Sequence, residues 1–260
     1  MTQHTLTAAL QEKKSAGRPL FVPYMMAGDG GLGILHERIG YLEGIGADAV
    51  ELGIPFSDPA ADGEVIQEAG ERALSAGVTL RRVLEELTMQ AHDVPIVLMT
   101  YLNPVLAYGL SEFADACGRA GVKGLIIPDL PHEEREMAAG VLKGTDIALI
   151  PLISLTSSKE RIEKIARDAE GFIYAVTVNG VTGVRSGFDG SLSGHLKSLR
   201  EIARVPVLAG FGISSPGQIV EFQQLADGVI VGSAVVSAFH KGNPDTIRQL
   251  AEAGRTPIRS

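Results

Sequence analysis

A parallel (β/α)8 barrel (TIM barrel) is the fold class this sequence predicts, and three observations point to it. From Pro19 onward, short β-rich apolar runs alternate with longer segments of helical period, as chains of βα units do. Eight such runs occur, each continuous in hydrophobicity as in a strand covered on both faces. The length of 260 residues suits one barrel, which typically takes about 250. One catalytic domain over 1–260 is therefore expected. An open doubly wound sheet would want G-x-G-x-x-G after its first strand and an acidic residue about 20 positions on. The glycine-rich AGDGGLG at 27–33 lacks that arrangement and reads as a loop and helix start.

In chain order, an extra N-terminal helix is expected from roughly Thr5 to Ser15. The strands are PLFVPYM (19–25), ADAVEL (47–52), PIVLMTY (95–101), VKGLII (122–127), IALIPLI (147–153), FIYAVT (172–177), VPVLAG (205–210) and DGVIVG (227–232). Between them lie LGILHERIGYLEGIG, EVIQEAGERALSAG, SEFADACGRAG, HEEREMAAGVLKG, SKERIEKIARDA, GSLSGHLKSLREIAR and SPGQIVEFQQL, most opened by Ser, Asp or Gly and closed by Gly, as helix caps require. A second helix, TLRRVLEELTMQAH, sits between strands two and three, and another closes the chain from Pro244 to Ala253.

Composition excludes several classes of function. The net charge is −8 and the basic residues are scattered, so nothing is expected to track a nucleic-acid backbone. No run reaches the roughly 18 apolar residues of a spanning helix, and the N-terminus lacks a signal peptide's basic start and apolar core, so a cytoplasmic protein is expected. The single Cys117 allows no internal disulfide and no cysteine-based zinc site.

The stretch VELGIPFSDPAADG (50–63) carries two carboxylates, Glu51 on a strand and Asp62 on the loop that leaves it. A loop this rich in turn residues, flanked by apolar sequence, is a place where catalytic groups concentrate, although Asp58 and Asp62 also suit ordinary turns. Other polar residues collect at the same strand ends: Asp29, Tyr101, Asn103, Asp129, Tyr174 and Asn179. In a barrel those ends line the active mouth. Lys123 and Asp227 fall at the opposite ends and read as solvated structural charges. Glycines cluster after strands six, seven and eight, in GVTG (180–183), GFGIS (210–214) and GSA (232–234). Glycine amides together with a helix start at Ser233 make a ready phosphate site.

Elimination narrows the chemistry. No lysine stands at a strand's C-terminal end to form a Schiff base. The six histidines are dispersed without metal-ligand spacing; His132, nearest the mouth, falls in a first helical turn. No nucleophile elbow supports a serine triad. Acid and base chemistry by Glu51 and Asp62 remains, with raised pKa values in a partly closed mouth.

The strings VELGIPFSDPAADG, MTYLNP, PDLP, GVTG, GFGIS and VIVGSA, in this order over nearly the whole chain, closely resemble the tryptophan synthase alpha subunit. The resemblance implies a lyase of L-tryptophan biosynthesis that cleaves indole-3-glycerol phosphate to indole and glyceraldehyde 3-phosphate, with no metal or organic cofactor in this chain. It places the family's catalytic glutamate and aspartate on Glu51 and Asp62 and a glycerol-side tyrosine on Tyr174. Phosphate would meet the amides of Gly183, Gly212, Ile213, Gly232 and Ser233. Phe21, Met99, Tyr101, Ile126 and Phe211 are the expected pocket walls; Phe21, Met99, Ile126 and Phe211 are equally candidates for plain core. A beta subunit carrying pyridoxal phosphate is the implied partner in an alpha2beta2 complex. Asp58, Pro59, Asn103, Pro104 and Asp129 would lie on the lid and partner loops, and Thr182 on a lid from 178 to about 189. Glu64, where many relatives have proline, and Val178-Asn179, where others have arginine-serine, depart from the pattern. A sugar-phosphate isomerase or epimerase, a free-standing indole-releasing lyase and a non-catalytic activator of the beta partner are the competing readings.

Overall fold

The computed structural model describes residues 5–154, 157–177, 190–210 and 212–256. Among them the strands are β1 (Leu20–Met26), β2 (Val50–Gly53), β3 (Ile96–Met99), β4 (Val122–Ile126), β5 (Ala148–Leu149), β6 (Leu152–Ser154), β7 (Ile173–Val176), β8 (Val207–Gly210) and β9 (Gly228–Val231). The helices are α1 (Thr5–Ser15), α2 (Leu35–Gly44), α3 (Glu64–Ser75), α4 (Leu80–Leu87), α5 (Leu102–Tyr108), α6 (Leu110–Arg119), α7 (Glu136–Leu142), α8 (Lys159–Arg167), α9 (Gly190–Ile202), α10 (Pro216–Gln223), α11 (Ser233–His240) and α12 (Pro244–Arg255). No helix among the described residues is long and apolar enough to cross a membrane.

All pairings are parallel, in the order β5-β4-β3-β2-β1-β9-β8-β7-β6. The fifth expected strand is two short ones, because Pro151 lacks the N–H to continue a ladder. Ile150 N–H still donates to the Leu125 carbonyl at 2.9 Å, whereas the Pro151 carbonyl accepts from Tyr174 N–H at 3.0 Å. The segment thus changes neighbour from β4 to β7 at this proline. The two ends of the sheet are consecutive pieces of one chain run, and the barrel closes through it.

Register decides what faces inward, since partners in a parallel ladder share a face. Tyr24, Glu51, Val97, Gly124 and Ala148 form one inward row, and Met26, Gly53, Met99 and Ile126 the next row toward the mouth. Below them α1 seals the barrel. A Cβ on Gly124 would lie 2.9 Å from Leu6 Cδ2 and 2.7 Å from Ile150 Cδ1, so only glycine leaves room for this plug. Leu6 is fully buried, an apolar transfer that contributes roughly 2 kcal/mol. Gly171 N–H donates to the Thr7 hydroxyl, and Thr5 donates twice to Asp146, fixing the helix in place.

The base of the barrel corrects one expectation. Asp227 is buried rather than solvated: it accepts from Val207 N–H at 2.8 Å and pairs with Lys14 and Arg200. Asp48, fully buried, likewise accepts from Phe21 N–H and pairs with Lys13 and Arg18. Each carboxylate ties a strand end to cations outside the barrel, which is how an ion keeps its partners when removed from water. Lys123, half-buried, pairs with Asp146.

Candidate active site

Glu51 projects from the middle of β2 into the barrel with no exposed surface. Neither of its carboxyl oxygens accepts a hydrogen bond from a described residue. Burial, followed by the nearby charge of Asp62, pushes its pKa up to about 8. Glu51 therefore holds its proton at neutral pH.

Asp62 reaches the same space from the loop after β2. Its N–H donates to the Pro59 carbonyl, and its own carbonyl accepts from Gln67 of α3, so the backbone is clamped on both sides. Burial raises its pKa to about 6, against an opposing hydrogen bond from the Tyr101 hydroxyl. That hydroxyl also accepts the Ala61 N–H at 2.9 Å, tying the loop to β3, and the Tyr101 ring stacks on Phe56. Two carboxyl groups in one mouth are thus driven to different states, one protonated and one ionised.

Tyr174 of β7 is buried, and its phenol is held protonated by burial and then by the charges of Glu51 and Asp62. Its ring packs over Gly210, where a Cβ would come within 2.3 Å of it. The structure adds a residue that sequence reasoning missed, Tyr24. It pairs directly with Glu51 in the β1/β2 register, and burial and the charges of Asp62 and Glu51 raise its pKa well above the usual value. The available signal was the spacing of Tyr24 within β1 relative to Glu51 within β2, which becomes visible only once the two strands are aligned.

Met99 and Ile126 occupy the inward row above Glu51. Phe21 does not join them, and here the expectation is corrected. It has the opposite parity to Tyr24 on β1, and its ring packs against Gly254 of α12, where a Cβ would lie 2.6 Å away. Phe21 belongs to the layer between barrel and helices. Phe211, Thr182, Gly183 and the Val178-Asn179 departure lie outside the described residues.

Of the glycine-rich segments, the described parts after β8 and β9 lie at the C-terminal ends of those strands, on the same mouth. Gly212 has φ +78°, followed by buried Ile213, and Gly232 precedes α11, whose first residue is Ser233. The Val235 and Val236 N–H groups of the first turn of α11 donate to the Gly232 carbonyl, which leaves those of Ser233 and Ala234 at the helix start, the end whose dipole favours an anion. Asp58 is exposed, with Pro59 beside it. Asn103 and Pro104 stand in the first turn of α5 rather than in a loop, a position that tolerates proline. Asp129 caps that helix by accepting Leu102 N–H at 2.8 Å. Asp29 is held by Arg72 of α3 in a two-point ion pair of 2.7 and 2.9 Å. Glu64 begins α3, where an acidic residue complements the helix dipole as a proline would suit the first position.

The family model for the tryptophan synthase alpha chain matches residues 10–256. The chain belongs to the tryptophan synthase alpha chain family. It is 50% identical over 252 residues to the tryptophan synthase alpha chain of Oceanobacillus iheyensis, covering 96% of each chain. With that of Listeria monocytogenes it shares 52% over 237 residues, covering 91% of each. A Mycobacterium tuberculosis tryptophan synthase structure superposes with a TM-score of 0.89 at 31% identity, over 98% of this chain and 100% of that one. Tryptophan synthase subunit alpha of Legionella pneumophila gives 0.85 at 31% identity, over 97% and 98%. Membership of the tryptophan synthase alpha family makes this barrel a lyase of tryptophan biosynthesis and implies a beta partner.

Proposed function

We propose that this barrel, as one catalytic domain, cleaves indole-3-glycerol phosphate with Glu51 as acid and base and Asp62 as counter-charge. The observation that carries this reading is the pair itself: Glu51, fully buried on β2, and Asp62, buried on the loop that leaves β2, share one mouth, and burial pushes their pKa values up to about 8 and about 6. The Glu51 carboxyl group gives its proton to C3 of the indole ring, and the positive charge that develops extends to the ring nitrogen. Asp62 accepts the ring N–H and offsets that charge. Glu51, now a carboxylate, takes the proton from the hydroxyl on the carbon attached to the ring. That carbon becomes the aldehyde as the carbon–carbon bond breaks, and the bond's electrons return to the ring to release neutral indole. Tyr174, facing Glu51, assists in holding it.

The phosphate tail meets the amides of Gly183, Gly212, Ile213, Gly232 and Ser233, supported by the glycine loops and the start of α11. Met99, Ile126, Tyr101 and Phe211 wall the indole pocket. The beta partner brings the pyridoxal phosphate in an alpha2beta2 complex, facing Asp58, Pro59, Asn103, Pro104 and Asp129. The segment carrying Thr182 serves as the lid, and the reaction runs in the cytoplasm without a cofactor bound to this chain.

Indole release from the purified chain, with and without a beta subunit, tests both activity and partnership. Glu51→Gln and Asp62→Asn are each expected to lower kcat by about a hundredfold or more with KM changed only a few-fold. A near wild-type rate in either variant removes that residue from the mechanism.

A further inference from the structure

Tyr24 stands in the carboxylate cluster without a role in the steps described so far. It is opposite Glu51 in register and 5% exposed. Its side chain leans along β2 until the hydroxyl takes the place that a side chain at Gly53 would fill, 1.9 Å from an ideal Cβ there. Gly53 and Glu51 share the inward face two residues apart, roughly 7 Å along the strand, a gap a glutamate side chain spans. The phenol therefore sets an O–H one row above Glu51, on the side from which substrate enters. On its other flank is Gly232, where a Cβ would stand 3.7 Å from that of Tyr24. Tyr24 thus sits between the strand that carries Glu51 and the strand that opens into α11.

This seat is built twice. Tyr174 pairs with Leu208 and leans over Gly210, two residues beyond its partner, just as Tyr24 pairs with Glu51 and leans over Gly53. Both phenols depend on a glycine at the same diagonal position. Two large side chains directed in the same manner past a missing side chain place two hydroxyls around one acid.

After Glu51 gives up its proton it is a buried carboxylate, and at rest neither oxygen accepts a hydrogen bond from a described residue. A buried charge without donors is costly. Tyr101 is committed to Asp62 and Ala61. We propose that Tyr24 is a positioning residue for the alpha reaction: its hydroxyl, seated over Gly53, donates to the Glu51 carboxylate while that group is without its proton. Burial and the charges of Asp62 and Glu51 keep the phenol protonated, so it remains a donor across the working pH range. The inference rests on the role given to Glu51 above.

Steady-state indole release by the full chain between pH 5.5 and 9.5 tests it, comparing wild type with Tyr24→Phe, Gly53→Ala and Glu51→Gln. Tyr24→Phe is expected to lower kcat about tenfold or more, the loss of one hydrogen bond to a charged group. KM should stay within about twofold. The alkaline limb of kcat should move up by about one pH unit, because the carboxylate form has lost a donor. A packing role alone would leave that limb in place. Gly53→Ala keeps the phenol but fills its seat, and is expected to reproduce both effects, so the inference can be judged even if Tyr24→Phe fails to fold. An unmoved limb and unchanged kcat in the folded variants, with Glu51→Gln inactive, overturn the inference and leave the assignment of Glu51 standing. An active Glu51→Gln overturns that assignment and the inference with it.

Discussion

Glu51→Gln is expected to stabilise the folded chain, and by more as the pH rises. In the native barrel the Glu51 pKa is raised from 4.5 to about 8, by burial first and by Asp62 second. Below pH 4.5 both the folded and unfolded chains hold the proton, and the group costs nothing. Above it the unfolded chain releases its proton while the folded chain does not, so native stability falls until the pH passes about 8. At ~1.4 kcal/mol per pH unit, the cost reaches about 3 kcal/mol at pH 7 and about 5 kcal/mol above pH 8. Glutamine keeps the shape and carries no charge, so the variant escapes this cost. Other titrating groups cancel in the comparison with wild type. Between pH 5 and 8 the stability difference should widen by about 3 kcal/mol, or about 6–12 °C in Tm for a chain of this size. Thermal unfolding of both proteins in a series of buffers measures it. A Tm difference that does not change with pH would show that Glu51 is not held protonated by its surroundings, and the acid role would lose its physical basis.

The same two groups set the pH dependence of turnover. kcat is expected to rise through about pH 6 as Asp62 ionises and fall through about pH 8 as Glu51 loses its proton; a flat profile across that range would contradict the division of roles. Gly232→Asp, where an added Cβ meets nothing closer than 3.7 Å, puts a carboxylate at the start of α11; KM should rise about tenfold or more, and unchanged substrate affinity would remove this helix from the phosphate site. Gly210→Ala drives a methyl group into the Tyr174 ring, which is expected to cost about 1–3 kcal/mol in urea unfolding and to lower kcat; an intact enzyme would mean the seat has room to yield. Asp48→Ala leaves Phe21 N–H, Lys13 and Arg18 without their acceptor at the base of the barrel, so stability should fall by about 2–4 kcal/mol while kcat is retained, and a large kcat loss would tie base to mouth.

The alternation of apolar runs with helical segments fixes a (β/α)8 barrel from the sequence, because covered strands and amphipathic helices leave different periods in the chain. The burial of Glu51 was legible for a related reason, since a carboxylate inside an apolar strand has no structural excuse unless it is used or paired, whereas Asp62 lies on a turn-rich loop whose sequence suits an ordinary turn equally well. Parity was not legible. In a parallel strand buried on both faces, LFVPYMM carries no mark of which residues face inward. Phe21 was therefore left open between pocket and core and lies under α12, while Tyr24, three residues on, faces Glu51 and was passed over. The break at Pro151, the first turn of α5 around Asn103 and Pro104, and the burial of Asp227 likewise depend on neighbours distant in the chain. Local sequence sets the period and supplies the acids. Only the alignment of strands, and the glycines that give way across them, decides which side chains meet.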